Sequence, residues 1–369
     1  MGYLGHIMSD IYNPLSTINH LTSLQLQHFR SYEDFAVELS PAVNIVVGPN
    51  ASGKTNLLEA VLLLSGASPY RASMQDVIMQ EKPWARIEAM LANRKRSVSL
   101  ERVGDIVKRR YTVNEVHRQR LKFEDILPVV LFEPEDMRLL TGSPELRREF
   151  IDDILTTIDS QFASIKRHYV RALMQRNNLL KQRASTIKDQ VFVWNIRLSE
   201  LAGYIVAARH ALISGFNEQI SDIYSTVATK KTVVLVEYNT PFAISSYESE
   251  LLSKLESNLA QDIERGFTSY GPHREDISLY IDNTAAKVAA SRGETRTLVL
   301  SLKLLEVSLL NETRNTKPLV LLDDVFSELD GARRKALTTY LTDHQTIITT
   351  TDADVVAKDF AQHANTISL

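Results

Sequence analysis

The sequence predicts an α/β protein, a mixed sheet with helices that carries a P-loop and is interrupted by an inserted, mostly helical lobe. Three observations predict it. The stretch from Val43 to Ala60, VNIVVGPNASGKTNLLEA, reads as a short apolar strand, a glycine-bearing loop and an amphipathic helix. The stretch KPLVLLDDVFSELD, residues 317–330, reads as a buried strand ending in two carboxylates. Between them, from Ser143 to about Val227, the chain is almost wholly helical. A compact P-loop domain does not need Lys54 and Asp323 to stand most of a chain apart, so a large segment must leave the sheet and re-enter it.

The 369 residues are enough for two or three lobes, each with its own core. Hydrophobic content of 44% and charged content of 24% are those of a soluble globular protein. The net charge of −3 carries no global signal for nucleic acid, so any such signal must be local. There is no cysteine, which excludes disulfides and thiolate metal sites and fits a cytoplasmic location. No run of ~18 apolar residues is present, so neither a membrane span nor a membrane partner is expected. Residues 1–18 lack the basic and apolar regions of a signal peptide and read as an extension, with Met8 an alternative start.

Gly48, Gly53, Lys54 and Thr55 fill the fixed positions of G-x-x-x-x-G-K-[ST]. Glycine lets the backbone approach a ligand closely. The N–H groups of Gly48, Pro49, Asn50, Ala51, Ser52 and Gly53 (proline excepted), with the helix start behind them, then face an anion. Lys54 is long enough to reach the β/γ-phosphates of ATP, and the Thr55 hydroxyl is a ligand for Mg2+. In the acidic strand Asp323 is the candidate to hold Mg2+ together with Thr55, and Asp324 the candidate to polarise the attacking water. Ahead of it, in VAASRGETRTL, Ser291 and Glu294 form an S-x-x-E capping box at the start of a long helix, an anion-binding type of terminus.

From Leu21 to Phe35 the alternation predicts an edge hairpin with Arg30 and Tyr32 near its turn; Arg30 is either a solvated loop charge or a contact to adenine or ribose. The helix after the P-loop spans Lys54–Ser65 and ends near Gly66. Short strands follow over RIEAMLA, RSVSLERV and KRRYTVN. From Arg94 to Lys122 ten Lys/Arg face three acids. That is either a solvated sheet face or a nucleic-acid surface using Arg94, Lys95, Arg96, Lys108, Arg109 and Arg110. A strand is expected over PVVLFEPEDM, then a helix with Ser143 as N-cap and Pro144 at N1. Phe162, Ile165, Tyr169 and Leu173 form one helical stripe, and Ile205, Leu212, Phe216, Ile220 and Ile223 a second, as in two antiparallel helices sharing a seam. From Ala163 to Leu198 eight Lys/Arg, Arg176 among them, stand against one acid; Lys166, Arg167 and Arg171 are the candidates to track phosphates. A strand at 232–238 and one helix over Tyr247–Arg265 lead back. The resulting layout is an extension at 1–18, an ATPase lobe at 19–132 and 263–369, and a helical arm lobe at 133–262.

Together these stretches resemble the RecF family of bacterial DNA-repair ATPases, relatives of SMC proteins and other ATP-binding-cassette (ABC-type) ATPases. The resemblance rests on GPNASGKTNLLEA, SPYRASMQDVI, LFEPEDMRLLTGSPELRREFID, SYGPHREDI, ASRGETRTL and LLDDVFSELD, and covers the chain from about Leu21. It implies an ABC-type ATPase head joined to a helical arm, an ATP-dependent homodimer, binding to duplex or gapped DNA or a single-stranded/duplex junction, and cooperation with RecR in recombinase loading. By the same resemblance Ser291, Arg292 and Gly293 form the signature motif facing the partner subunit's γ-phosphate. Ser327–Asp330 is the D-loop, and Thr349–Thr351 stands at the switch position. Ala51-Ser52 inside the P-loop and Arg292 in the signature depart from the usual pattern. A transporter-type cassette subunit and an SMC-like structural head are the alternatives. The first is opposed by the Asp-Asp end and the basic arm, the second by the presence of a single helical hairpin.

Overall fold

The computed structural model describes residues 20–69, 73–92, 94–182, 187–352, 356, 358, 360 and 364–369. The extension at 1–18, part of the SPYRASMQDVI stretch and Arg183 lie outside them. The strands are β1 (Leu21–Phe29), β2 (Tyr32–Glu38), β3 (Val43–Val47), β4 (Trp84–Leu91), β5 (Arg94–Val103), β6 (Ile106–Val113), β7 (Val116–Arg118), β8 (Val129–Phe132), β9 (Val234–Asn239), β10 (Asp276–Ile281), β11 (Thr284–Ala285), β12 (Leu319–Asp323), β13 (Thr346–Thr350) and β14 (Asn365–Ser368). The longer helices are α1 (Lys54–Ser65), α2 (Pro144–Ile158), α3 (Phe162–Gln182), α4 (Ile187–Ala228), α5 (Tyr247–Ser257), α6 (Leu259–Arg265), α7 (Arg292–Arg314) and α8 (Gly331–Leu341). The chain forms two compact units, one of Met137–Ser225 and Lys230–Val299, the other of the described residues up to Asp136 with Thr226–Thr229 and Leu300–Leu369.

The P-loop unit holds two sheets. One is parallel, in the order β14-β3-β13-β12-β8; the other is antiparallel, in the order β2-β1-β4-β5-β6-β7. The parallel sheet is assembled from segments far apart in sequence, as the distance from P-loop to acidic strand requires. Every residue of β12 and β13 is buried, the pattern of central parallel strands covered on both faces. Helix α1 packs against strands of both sheets and is buried almost all round, so the amphipathic character expected of it is replaced by that of a core helix. Gly66 stops α1 in a left-handed C-cap at φ 106°. The expected hairpin forms, but β1 is internal, paired with β4 as well as β2.

In the helical unit α3 and α4 are the expected long pair, with Ile205, Leu212, Phe216, Ile220 and Ile223 buried along α4. The expected helix over Tyr247–Arg265 is broken at Asn258 into α5 and α6. Residues 263–299, counted above with the ATPase lobe, cluster here because β10 pairs with β9 in the sheet β11-β10-β9. The open edge of β9 is closed by side chains of α4. Asn217 exchanges two hydrogen bonds with the Val236 backbone at 2.8 Å, Ser221 two with Val234 at 2.9 and 3.1 Å, and Ser225 two with Thr232 at 3.0 and 3.2 Å. The spacing works because four residues of helix rise about 6 Å and two of strand about 6.7 Å.

Candidate functional site

The loop 48–53 leaves the C-terminal end of β3 and enters α1. Gly53 has φ 103°, and a Cβ there would lie 2.9 Å from the Tyr32 hydroxyl, so both backbone and space demand glycine. The hairpin turn braces the loop. Tyr32 donates to the Gly53 carbonyl at 3.1 Å, Asn56 donates to Ser31 Oγ at 3.0 Å, and burial pushes the Tyr32 phenol up to about 12, keeping it a donor. Arg30, the candidate base or ribose contact, instead grips the buried Glu59 of α1 with two hydrogen bonds of 2.7 and 2.8 Å and donates to the Asp76 carbonyl. It is an anchor for the P-loop helix.

Lys54 is 6% exposed and folds back over the loop, its Nζ donating to the carbonyls of Gly48 at 2.8 Å and Pro49 at 2.9 Å. Ser52 Oγ is buried with no partner. A buried hydroxyl left unpaired costs free energy, and a phosphate oxygen at this loop would accept from it. The loop therefore fits the phosphates of a nucleotide.

The acidic strand ends beside the loop. Thr55 Oγ1 donates to both oxygens of Asp323 at 3.0 and 3.1 Å. Thr349, in register with Asp323 on the adjacent β13, donates to Asp323 Oδ1 at 2.8 Å and accepts from the Asp324 N–H at 3.0 Å. Asp324 then turns the chain into the helical turn Val325–Glu328. Hydroxyl and carboxylate oxygens are the donors a hard cation such as Mg2+ takes. Among the described residues no group of three or more His, Cys, Asp or Glu is placed to hold a metal unaided. The Thr55–Asp323 pair fits an ion that keeps waters and substrate phosphates in its shell. The geometry thus brings Gly48, Pro49, Asn50, Ala51, Ser52, Gly53, Lys54, Thr55, Asp323 and Asp324 together within one unit. Thr349 was visible in sequence only through its switch-position resemblance; its hydroxyl bridge was not.

Ser291 and Gly293 stand at the start of α7, in the helical unit. Ser291 N–H donates to Glu294 Oε2 at 2.8 Å and Glu294 N–H to Ser291 Oγ at 3.3 Å, the reciprocal pair of a capping box. Hydrogen bonds to the carboxyl from the Ser291 backbone first, and then from the Ser291 side chain, hold Glu294 below its usual range. In the stretch Ser327–Asp330, the D-loop expected from the resemblance, Asp330 caps α8, accepting from Arg333 N–H at 3.0 Å.

The basic candidates divide. On the antiparallel sheet the registers Ser99↔Arg110 and Glu101↔Lys108 put Lys95, Lys108 and Arg110 on one face, all exposed, with Arg94 exposed at the strand start. Lys95 lies 3.3 Å from Glu88 on that face. Arg96 must be withdrawn: it shares the inner face with Val98 and Leu100, is 7% exposed, and donates to the carbonyls of Leu64 and Asp125. Arg109 also turns inward, donating to the Ala67 carbonyl at 2.9 Å and lying over Tyr111. On α3, Arg167 and Arg171 are exposed, whereas Lys166 pairs with Asp152 at 2.9 Å. Arg176, counted with the basic face, is fully buried. It donates to Asn195, Asp262 and Thr268 at 2.7 to 2.8 Å.

The GPHR element, 271–274, is the hub of the helical unit. Gly271 has φ 128° and a Cβ there would meet the Tyr169 hydroxyl at 2.7 Å. His273 Nε2 faces only the Thr268 carbonyl, at 3.2 Å, so that nitrogen carries the proton and Nδ1 accepts from Tyr169 at 2.6 Å. Burial holds this imidazole down to about 4. Arg209 of α4 clamps Asp152 with two bonds of 2.8 and 3.0 Å and donates to the Pro272 carbonyl at 2.8 Å. Glu275 accepts from Tyr238, from Tyr247 at 2.6 Å and from Thr240 at 2.9 Å.

A parallel sheet with the P-loop on one strand, the acidic pair two strands away and a helical unit inserted between them defines an ATPase head of the cassette and SMC class. Residues 20–367 match the RecF/RecN/SMC N terminal domain. The DNA replication and repair protein RecF of Staphylococcus carnosus is 34% identical over 93% of this chain and 96% of its own. That of Listeria welshimeri is 34% identical over 94% and 97%. A solved RecF, described as the recombination mediator protein RecF-ATPrS in the RecFOR pathway, superposes with TM-score 0.83 at 26% identity over 92% of this chain and 95% of that one. An Smc head bound to the C-winged helix domain of ScpA shares the fold, with TM-score 0.54 at 16% identity over 92% and 91%. The chain belongs to the RecF family of DNA replication and repair proteins.

Proposed function

We propose that this chain is a slow, Mg2+-dependent ATPase that dimerises on ATP, binds DNA at gaps and stalled forks, and promotes recombinase loading with a RecR-like mediator. The observation that carries the reading is the Thr55–Asp323 hydrogen bond, which ties the end of the phosphate loop to the acidic strand. Lys54 would exchange the Gly48 and Pro49 carbonyls for β/γ-phosphate oxygens, and Ser52 Oγ would gain the acceptor it lacks. Thr55 and Asp323 would hold Mg2+, which when bound neutralises charge building on the phosphates. Asp324 is the candidate to polarise water. Its carboxylate is one methylene shorter than a glutamate's, which suits slow turnover. The repair role of the RecF relatives and the solved RecF-ATPrS structure support ATP use and a part in DNA repair.

Two chains are needed for each site in this reading, with Ser291 and Gly293 of one facing the γ-phosphate held by the other, in an isologous dimer. DNA contact falls to the outward cations Arg94, Lys95, Lys108, Arg110, Arg167 and Arg171, acting on phosphates without regard to sequence. A cytoplasmic, nucleoid-associated location follows. The test is a gel-shift series with gapped, duplex and single-stranded DNA, with and without ATP, alongside light scattering. ATP should strengthen binding to gapped or duplex DNA and double the mass, and Ser291→Arg should bind ATP yet stay monomeric. DNA binding indifferent to ATP, or a Ser291→Arg protein that dimerises like the wild type, would sink it.

A further inference from the structure

Asp324 holds a left-handed backbone, φ 56° and ψ 7°, which residues other than glycine enter at a cost and which gathers at functional sites. One hydroxyl pins it there. The Asp324 N–H donates to Thr349 Oγ1 at 3.0 Å, and the Thr349 hydroxyl donates to Asp323 Oδ1 at 2.8 Å; the Leu322 carbonyl, at 3.3 Å, is the weaker competitor for that proton. Thr55 donates to the same carboxylate. A hydroxyl carries one proton and a carboxylate only accepts, so the polarity of the chain is fixed. It runs from the Asp324 N–H through Thr349 to Asp323, where the Thr55 hydroxyl meets it. Thr349 is 0% exposed on a strand whose other buried side chains include Ile347 and Ile348, and valine would fill its volume equally well. Packing alone gives no reason for a hydroxyl here.

We propose that Thr349 is a positioning residue for ATP hydrolysis. Without touching nucleotide, it sets the spacing between the Thr55–Asp323 pair and the Asp324 carboxylate. The proposal rests on the ATPase reading above, and it is separable from it. Thr349→Val keeps the shape and removes the bridge. In the full chain without nucleotide, amide exchange at Asp324 should accelerate, a change independent of any activity. With ATP and Mg2+, kcat should fall by about tenfold to a hundredfold, the usual effect of losing a partner that orients a metal ligand. Nucleotide affinity should hold, because no P-loop group is altered, and the Mg2+ concentration for half-maximal rate should rise. Thr349→Ser should restore exchange, rate and Mg2+ dependence together. Should the valine variant not fold, Thr349→Cys, whose thiol is a poor donor and acceptor, should give the same losses in weaker form. Unchanged exchange at Asp324 in the valine or cysteine variant, or a serine variant as slow as valine, overturns the proposal. A wild type that binds no ATP overturns the ATPase reading instead, and the exchange result still decides whether Thr349 holds the turn.

Discussion

The P-loop site and the cluster around Glu275 and Arg209 gather the same residue types, hydroxyls, carboxylates and cations, and differ in where their hydrogen bonds end. Around the GPHR element each group is matched by another side chain or carbonyl of the same unit: Glu275 takes three hydroxyls, Arg209 a carboxylate and a carbonyl, Arg176 four partners. At the P-loop, Lys54 rests on carbonyls that a phosphate would replace, and Ser52 Oγ has nothing. Buried polarity on its own does not mark a reaction centre. Unfilled capacity at a strand's C-terminal end does, whereas a saturated cluster specifies a fold.

If that contrast is right, mutations should separate stability from nucleotide use. The largest effect on stability is expected from Arg176→Ala, which leaves the Asp262 charge buried without its cation; denaturant unfolding should show a loss of about 3–5 kcal/mol while ATP titrates normally in whatever remains folded. A fall in ATP affinity with intact stability would erase the distinction. Next comes acid. Folded His273 takes a proton only near pH 4, whereas unfolded histidine does so near 6.5, so between these values the unfolded chain binds the extra proton. Stability should therefore drop as pH falls through that window, by up to about 3 kcal/mol, and His273→Gln should flatten the slope. A wild-type stability independent of pH from 7 to 4 would show that the hub tolerates the charge. The smallest effect on stability belongs to Lys54→Ala. It removes a cation but no core volume, so the melting temperature should stay put while ATP binding, followed by fluorescence, is lost. Retained ATP affinity would mean that the loop is not the phosphate cradle.

The P-loop, the acidic strand and the capping box were legible because each is one short string whose residue types are obligatory. The hub was not, since Asp152, Tyr169, Arg209, Tyr238 and Glu275 come one at a time from separate elements. Arg96 and Arg176 were misjudged for a simpler reason. Counting charge along the sequence ignores direction, yet Arg96 alternates in phase with Val98 and Leu100, and Arg176 continues the stripe of Phe162 and Tyr169 at intervals of seven. Period would have turned both inward. The break at Asn258 carries no glycine or proline to announce it.

The seam between α4 and β9 bears on how such a chain survives at high concentration. An unpaired strand is a template on which another molecule can lay a strand of its own, and growth from such an edge has no natural end. Here Asn217, Ser221 and Ser225 take up the outward N–H and C=O groups at Val236, Val234 and Thr232 before a neighbour can. The β9 edge of the small sheet is thus closed to accretion by a helix of its own chain. A single residue inserted on either side would shift one ladder against the other and reopen it, so this stretch should tolerate changes of letter far better than changes of length.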